Sequence, residues 1–274
     1  MKTLYLSDLD GTLIRNNQRI SNFTTDVIAH FVKEGGLFSY ATARSPVTSK
    51  IVTNGLNVGL PLICHDGASI YDEFGEEILL SHHFLPDEIT EISNVLAKYD
   101  FYPIVNAFID GYERFSYFEK DMDKGMVEFL NDRKNDPRIR IVSSFEELYF
   151  GEIFSIYFIR DDKGDVAPLN DLIKNDGRFH TILQKDTYHD YWFFVLLPAK
   201  ASKANAALEL KKMLGCDRLV VFGDRMNDLS MFAVADESYA MSNAVDELKA
   251  IATGVIGSNE DDAVAKWILT NVMK

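Results

Sequence analysis

Hydrophobic and polar positions alternate along the chain in a way that predicts strands followed by amphipathic helices. Thr3-Leu4-Tyr5-Leu6-Ser7 reads as a short buried strand ending at Asp8. Ser21 can cap a helix whose apolar positions Val27, Ile28, Phe31 and Val32 share one face, and Gly35-Gly36 closes it. Leu37 to Thr42 predicts a second strand. Ser45-Pro46 supplies an N-cap and first helical residue, with Asn54-Gly55 at the far end. Pro61 to Cys64 predicts a third strand, and Ser69-Ile70-Tyr71 with Glu77 to Leu80 a hairpin around Gly75.

The pattern returns near the C-terminus. Ser202 opens an Ala-rich helix that closes at Gly215, Arg218 to Phe222 is a strand, and Asp228 to Ala235 is helical. Val255-Ile256 is a late strand, and Ala263 to Val272 a terminal helix. Short strands alternating with helices of this length predict parallel βαβ units. The middle differs. It is rich in aromatics, with strand-like stretches at Phe101 to Phe118 and Ile153 to Ile159 and helical patterns at Glu88 to Tyr99 and Asp121 to Arg133. The expectation is therefore an α/β core, residues 1–82 and 191–274, interrupted by an α+β insertion over 83–190.

Composition narrows the class of partner. Of 274 residues, 47% are apolar and 26% charged, as in ordinary folded proteins. The net charge of −14 argues against nucleic acid, which is bound chiefly through Lys and Arg on phosphates, and against docking on an anionic membrane. A small anionic substrate stays compatible, because a bound cation and a few local positive charges can reverse the field inside one cleft. Two cysteines, Cys64 and Cys216, make neither a metal cluster nor a disulfide framework, so a reducing, cytoplasmic setting is expected. The N-terminal segment has no signal-peptide core, and the longest apolar run, Tyr191 to Ala199, is too short to span a bilayer. Composition says nothing of oligomeric state.

Two acidic clusters follow predicted strands. Asp8-Leu9-Asp10-Gly11-Thr12 comes directly after the first, and its two carboxylates are two residues apart, on one side of an extended chain. Gly11 lets the backbone turn sharply out of the strand. Phe222-Gly223-Asp224-Arg225-Met226-Asn227-Asp228 follows a second buried strand. Helix capping explains Asp228 but not Asp224. Ligands of parallel sheets bind at the carboxyl ends of strands, so both clusters would meet there as an oxygen-rich site suited to Mg²⁺. Thr42, at the end of the second strand, has a hydroxyl able to hold a phosphoryl oxygen. Lys203 opens a helix where a cation opposes the dipole, which an anion nearby would explain; Lys200 is a rival for that role.

In order and spacing these elements resemble the haloacid dehalogenase superfamily. Asp8 to Thr12 looks like its first motif, Thr42 with Arg44 its second, Lys203 its third and Gly223 to Asp228 its fourth. The long insertion, with Met241-Ser242-Asn243-Ala244 after the fourth motif, is similar to Cof-type phosphatases with a type IIB cap. Three departures stand out: Thr42-Ala43-Arg44 for Thr-Gly-Arg, Asp66-Gly67-Ala68 for Asn-Gly-Ala, and Asp262-Ala263 for Asp-Gly. Asp66 adds a negative charge that can alter substrate preference.

The resemblance implies a Rossmann-like core and a Mg²⁺-dependent phosphatase acting on small phosphorylated metabolites. Asp8 would be the nucleophile and Asp10 the general acid–base. Mg²⁺ would be held by Asp8, the backbone carbonyl of Asp10, and Asp224. Thr42, Lys203 and Asn227 would bind phosphate, with Gly11, Arg44 and Asp228 in support; Asp228 and Asn227 would also orient the metal's ligand shell or Lys203. The inserted domain would close over the site, and Tyr112, Arg114 and Tyr188 are conceivable contacts there. A phosphotransferase or mutase of the same fold, and a non-catalytic binder of phosphometabolites, are the competing readings.

Overall fold

The computed structural model describes every residue except Gly55, Asn57, Asp121, Val166 and Lys274. The predicted helix end at Gly55 and helix start at Asp121 therefore fall outside the described residues. The chain divides into two compact units, Met1–Ser81 with Ala201–Lys274, and His82–Lys200.

The first unit begins with β1 (Thr3–Ser7), α1 (Asn22–Lys33), β2 (Leu37–Tyr40), α2 (Pro46–Val52), β3 (Leu62–Cys64), β4 (Ser69–Tyr71) and β5 (Ile78–Ser81). Local chemistry accounts for the helix starts. Ser21 and Ser45 cap α1 and α2 by accepting hydrogen bonds from the amides of Thr24 and Thr48, and Pro46 opens α2.

The second unit contains α3 (Pro86–Lys98), β6 (Ile104–Ile109), β7 (Tyr112–Phe118), α4 (Lys124–Asn131), β8 (Ile139–Val142), β9 (Glu152–Arg160), α5 (Ala167–Ile173), β10 (Phe179–Lys185) and β11 (Trp192–Pro198). Its six strands run in the order β10-β11-β9-β6-β7-β8 and pair antiparallel except for the parallel edge β7–β8. Ile92 and Leu96 of α3 and Leu169 of α5 pack with Ile156, Phe158 and Phe194 in one core. Met126, Phe129 and Leu130 of α4 pack with Ile104, Phe115 and Tyr157 in another. The return to the first unit comes at Lys200, ten residues later than the sequence pattern suggests, because β11 pairs with β9 and β10 rather than joining the parallel sheet.

The chain then adds α6 (Lys203–Met213), β12 (Arg218–Gly223), α7 (Leu229–Val234), β13 (Glu237–Ala240), α8 (Asp246–Ile251), β14 (Gly254–Val255) and α9 (Ala263–Asn271) to the first unit. A 3₁₀ turn at Met226–Asp228 precedes α7, so Asn227 and Asp228 lie in that turn rather than in the helix predicted from Asp228. β13 and α8 have no counterpart in the sequence reading.

The first unit's main sheet is fully parallel, in the order β14-β13-β12-β1-β2. A bridge between Ala41 and Ile63 links β2 to the antiparallel β3-β4-β5 hairpin sheet. β1 is the point where strand order reverses: β2 follows on one side and β12 on the other. In a parallel sheet this is where ligand crevices open. The central strands are buried on both faces, with Leu4, Leu6, Phe38, Val220, Val221 and Phe222 inaccessible to solvent.

Candidate active site

Strand register brings the acidic clusters together. Ser7 stands opposite Phe222 on one side and Tyr40 on the other, so all three strands run out at one level. The Asp8 amide then donates to the Phe222 carbonyl (2.9 Å), and the Ala41 amide to the Ser7 carbonyl (2.9 Å). Asp8, Thr42 and Asp224 therefore leave the sheet side by side, each buried.

Two glycines make room for the carboxylates. Gly11 has φ +79°, and a Cβ there would lie 2.3 Å from Asp224 Oδ2. A Cβ on Gly223 would lie 2.6 Å from Asp228 Oδ2. Only glycine allows either approach.

Lys203 is the electrostatic centre. Its side chain is wholly buried, and Nζ donates to Asp8 Oδ1 (2.6 Å) and Asp228 Oδ1 (2.7 Å). Burial alone would push this ammonium down. The fields of Asp228, then Asp8 and Asp66, outweigh it and hold the group well above its ordinary value. Ser202 caps α6 through the Asn205 amide and so sets Lys203 at the first helical position. Lys200, its rival, is exposed and belongs to the other unit.

Asp228 Oδ2 accepts from the backbone amides of Asp224 (2.9 Å) and Arg225 (3.1 Å), which together with Lys203 engages both its oxygens. Asp224 Oδ1 accepts from the Thr12 hydroxyl (2.9 Å), and Arg225 Nε lies 3.3 Å from Oδ2, a charge contact without hydrogen-bond geometry. Thr42 Oγ1 accepts from the Arg44 amide (3.1 Å), which leaves its hydroxyl hydrogen to donate elsewhere.

Asp10 sits differently. Its carboxylate is gripped by Arg44, with Nε to Oδ2 at 2.8 Å and Nη2 to Oδ1 at 2.6 Å. The carboxylates whose oxygens lie within 4.8 Å of one another are Asp8, Asp224 and Asp228. The side chain of Asp10 is thus not in the cluster, and the share expected of it in metal binding was through its backbone.

The donor set suits a divalent cation. Three buried carboxylates face a single buried ammonium. Burial, against the opposing field of Lys203, raises the Asp8 carboxyl well above its usual range. Burial, and next the charge of Asp228, pushes Asp224 up to about 7. Carboxylates in that state take up either protons or a cation with a preference for oxygen ligands. Since both Asp228 oxygens are engaged, Asp8 and Asp224 are the pair with capacity to hold it.

Besides the Arg44 fork on Asp10, the following contacts escaped the sequence reading. Thr12 steers Asp224, although it lies within the quoted first motif. Asn243 Nδ2 donates to the Gly11 carbonyl (2.8 Å) while its Oδ1 accepts from the Asn259 amide (3.2 Å), tying the Gly11 turn to the C-terminal segment. Asp66 accepts from Asn227 Nδ2 at 2.8 Å, so the Asn227 amide expected on phosphate is turned at least partly to a carboxylate.

Comparison with known proteins agrees with this picture. A 5-amino-6-(5-phospho-D-ribitylamino)uracil phosphatase of Bacillus subtilis (strain 168), YitU, is 24% identical over 264 residues, covering 95% of this chain and 94% of that one. A second phosphatase of that name and organism, YwtE, is 28% identical over 281 residues, covering 95% of each. The solved structure of the HAD subclass IIB sugar phosphatase BT4131 superposes with a TM-score of 0.77 at 20% identity over the whole of both chains, which shows a shared fold. The family model of haloacid dehalogenase-like hydrolases matches residues 5–268, and the chain belongs to that family.

Proposed function

We propose that the chain is a Mg²⁺-dependent phosphatase that hydrolyses phosphomonoesters of small metabolites, sugar phosphates or similar compounds, through an aspartyl-phosphate on Asp8. The observation that carries this is the cluster of buried Asp8, Asp224 and Asp228, two of which, Asp8 and Asp228, bind one buried Lys203. The names of the relatives, which specify a phosphorylated ribityl compound and a sugar phosphate, support the substrate class.

In this reading an Asp8 oxygen attacks phosphorus and the bond to the substrate oxygen breaks. Asp10 gives its proton to the departing alkoxide. A water then attacks the phosphorus of the aspartyl-phosphate, Asp10 takes back a proton, and inorganic phosphate leaves with Asp8 restored. Asp10 must release at least one of its Arg44 bonds to reach the leaving group. Lys203 and the Thr42 hydroxyl offset charge spread over the phosphoryl oxygens, the main requirement of phosphoryl transfer. Asp8, Asp224 and the Asp10 carbonyl would hold Mg²⁺, which supplies further positive charge for that purpose. Among the described residues no helix is long and apolar enough to cross a membrane. Cys64 and Cys216 are not joined in a disulfide, which fits a reducing compartment such as the cytoplasm.

Phosphate release over a panel of sugar phosphates, nucleotides and phosphorylated cofactors tests the reading. Turnover should stop with EDTA and return with excess Mg²⁺. Asp8→Asn should abolish it, by about four orders of magnitude or more, while circular dichroism stays unchanged. Metal-independent turnover, or phosphoryl transfer without phosphate release, overturns it.

A further inference from the structure

The geometry points to Asp66 as a positioning residue that orients the Asn227 amide, so that Asn227 Oδ1 serves as acceptor for water on the cation. This rests on the phosphatase reading of the site.

Both residues are buried, Asp66 at 5% and Asn227 at 9% exposure, and Asn227 Nδ2 donates to Asp66 Oδ1 at 2.8 Å. A carboxylate only accepts, so the amide must turn its nitrogen to Asp66 and its oxygen away. That oxygen is buried and has no hydrogen-bond partner among the described residues. A buried acceptor without a donor is costly, and native structures leave few. None of the nearby donors reaches it: two of the three Lys203 hydrogens go to Asp8 and Asp228, and the amides of Asp224 and Arg225 to Asp228. A phosphoryl oxygen is itself an acceptor and cannot satisfy Oδ1. Water on a divalent cation is a polarised donor and can. The second Nδ2 hydrogen does not alter this, since the deficit is at the oxygen.

The backbone holds Asp66 in place at the expense of strain. His65, Asp66 and Gly67 have φ of +53°, +54° and +90°. The His65 amide donates to the Arg44 carbonyl (3.1 Å) and the Asp66 amide to the Thr42 carbonyl (3.0 Å). Gly67 lies so close to α6 that a Cβ would stand 2.2 Å from the Ser202 carbonyl oxygen. Left-handed backbone at non-glycine residues persists where the surroundings enforce it, and here they fix one carboxylate between the second motif and the Lys203 helix.

Calorimetric titration of Mg²⁺ into the substrate-free protein tests the assignment. Asn227→Ala, which removes the acceptor, and Asp66→Ala, which lets the amide turn, should each weaken Mg²⁺ about tenfold or more, and the double swap Asp66→Asn with Asn227→Asp should stay within about threefold of wild type. In the double variant the amide and carboxylate exchange places with no change in charge. In the wild type, the Asn227 side-chain amide signals should shift on Mg²⁺ addition, a readout independent of whether any variant folds. Single variants that bind Mg²⁺ like the wild type, a double swap no better than either single, or unmoved amide signals would each overturn the inference. Loss of inorganic phosphate affinity at unchanged Mg²⁺ affinity would also overturn it, assigning Asn227 to the phosphoryl group. A wild type that takes up no Mg²⁺ sinks the phosphatase reading itself, and this inference with it.

Discussion

Arg44 holds both oxygens of Asp10 in a fork of hydrogen bonds at 2.6 and 2.8 Å. The planar guanidinium fixes the carboxylate's orientation as well as its charge, which an ammonium cannot do. Arg44→Lys should lower kcat by about tenfold and Arg44→Ala by about a hundredfold, with smaller changes in KM, because misaligned groups lose rate more than binding. Steady-state kinetics on the best substrate of the panel check this. Equal kcat in wild type and Arg44→Ala would remove Arg44 from the machinery.

Removing Lys203 leaves Asp8 and Asp228 facing each other with no buried cation between them. Lys203→Ala should destabilise the metal-free protein by about 3–5 kcal/mol, the usual cost of an orphaned buried charge. Turnover should be lost as well. Lys200→Ala should change neither. Urea unfolding in EDTA, beside a phosphate-release assay, separates the two lysines.

Gly11 is irreplaceable on two grounds: its φ of +79° and the 2.3 Å left for a Cβ against Asp224. Gly11→Ala should cost about 1–3 kcal/mol from backbone strain and displace Asp224. The measurable outcome is weaker Mg²⁺ binding in a protein that still folds. Unchanged Mg²⁺ affinity would mean that Asp224 can move without consequence.

In the second unit, Arg138 binds Asp136 through Nε (2.9 Å) and Nη2 (2.6 Å), and Glu113 through Nη1 (2.7 Å). Burial by itself pushes the Asp136 carboxyl up, but the hydrogen bonds and charge of Arg138 outweigh it and hold the group below its usual range. The folded state therefore resists a proton that the unfolded chain accepts. The stabilisation is full above the unfolded value of about 3.9 and is lost as pH falls through the lower folded value. Thermal melts of wild type and Asp136→Asn should differ at neutral pH and converge in strong acid. A gap that persists there would contradict the ion-pair account.

Most of the fold was legible because its signals are local. Short apolar runs marked β1 and β12, the turn at Gly75 marked the β4–β5 hairpin, and serine caps marked α1, α2 and α6. β13 and α8 were missed because Glu237–Ala240 and Asp246–Ile251 are short and have no strong turn or periodic signature. The late end of the insertion was missed for another reason: the apolar run of β11 reads equally well as a parallel core strand, and only its antiparallel partners decide. At the site, spacing revealed Asp8, Asp10, Asp224 and Lys203 as candidates. The Arg44 fork on Asp10 and the Asp66–Asn227 bond depend on side-chain directions set by distant backbone, which no local pattern encodes.

The pairing of β1 with β12 also sets a schedule for the growing polypeptide. Thr12 and Asp224 touch although 212 positions separate them in the chain. While ribosomes are still translating the middle segment, Asp8 has neither Lys203 nor the strand against which its own amide bonds. The second unit, whose strands find their partners within one continuous stretch, can mature first. Hydrolytic competence then arrives late in synthesis, and a truncated product ending before β12 should be inert toward phosphate esters.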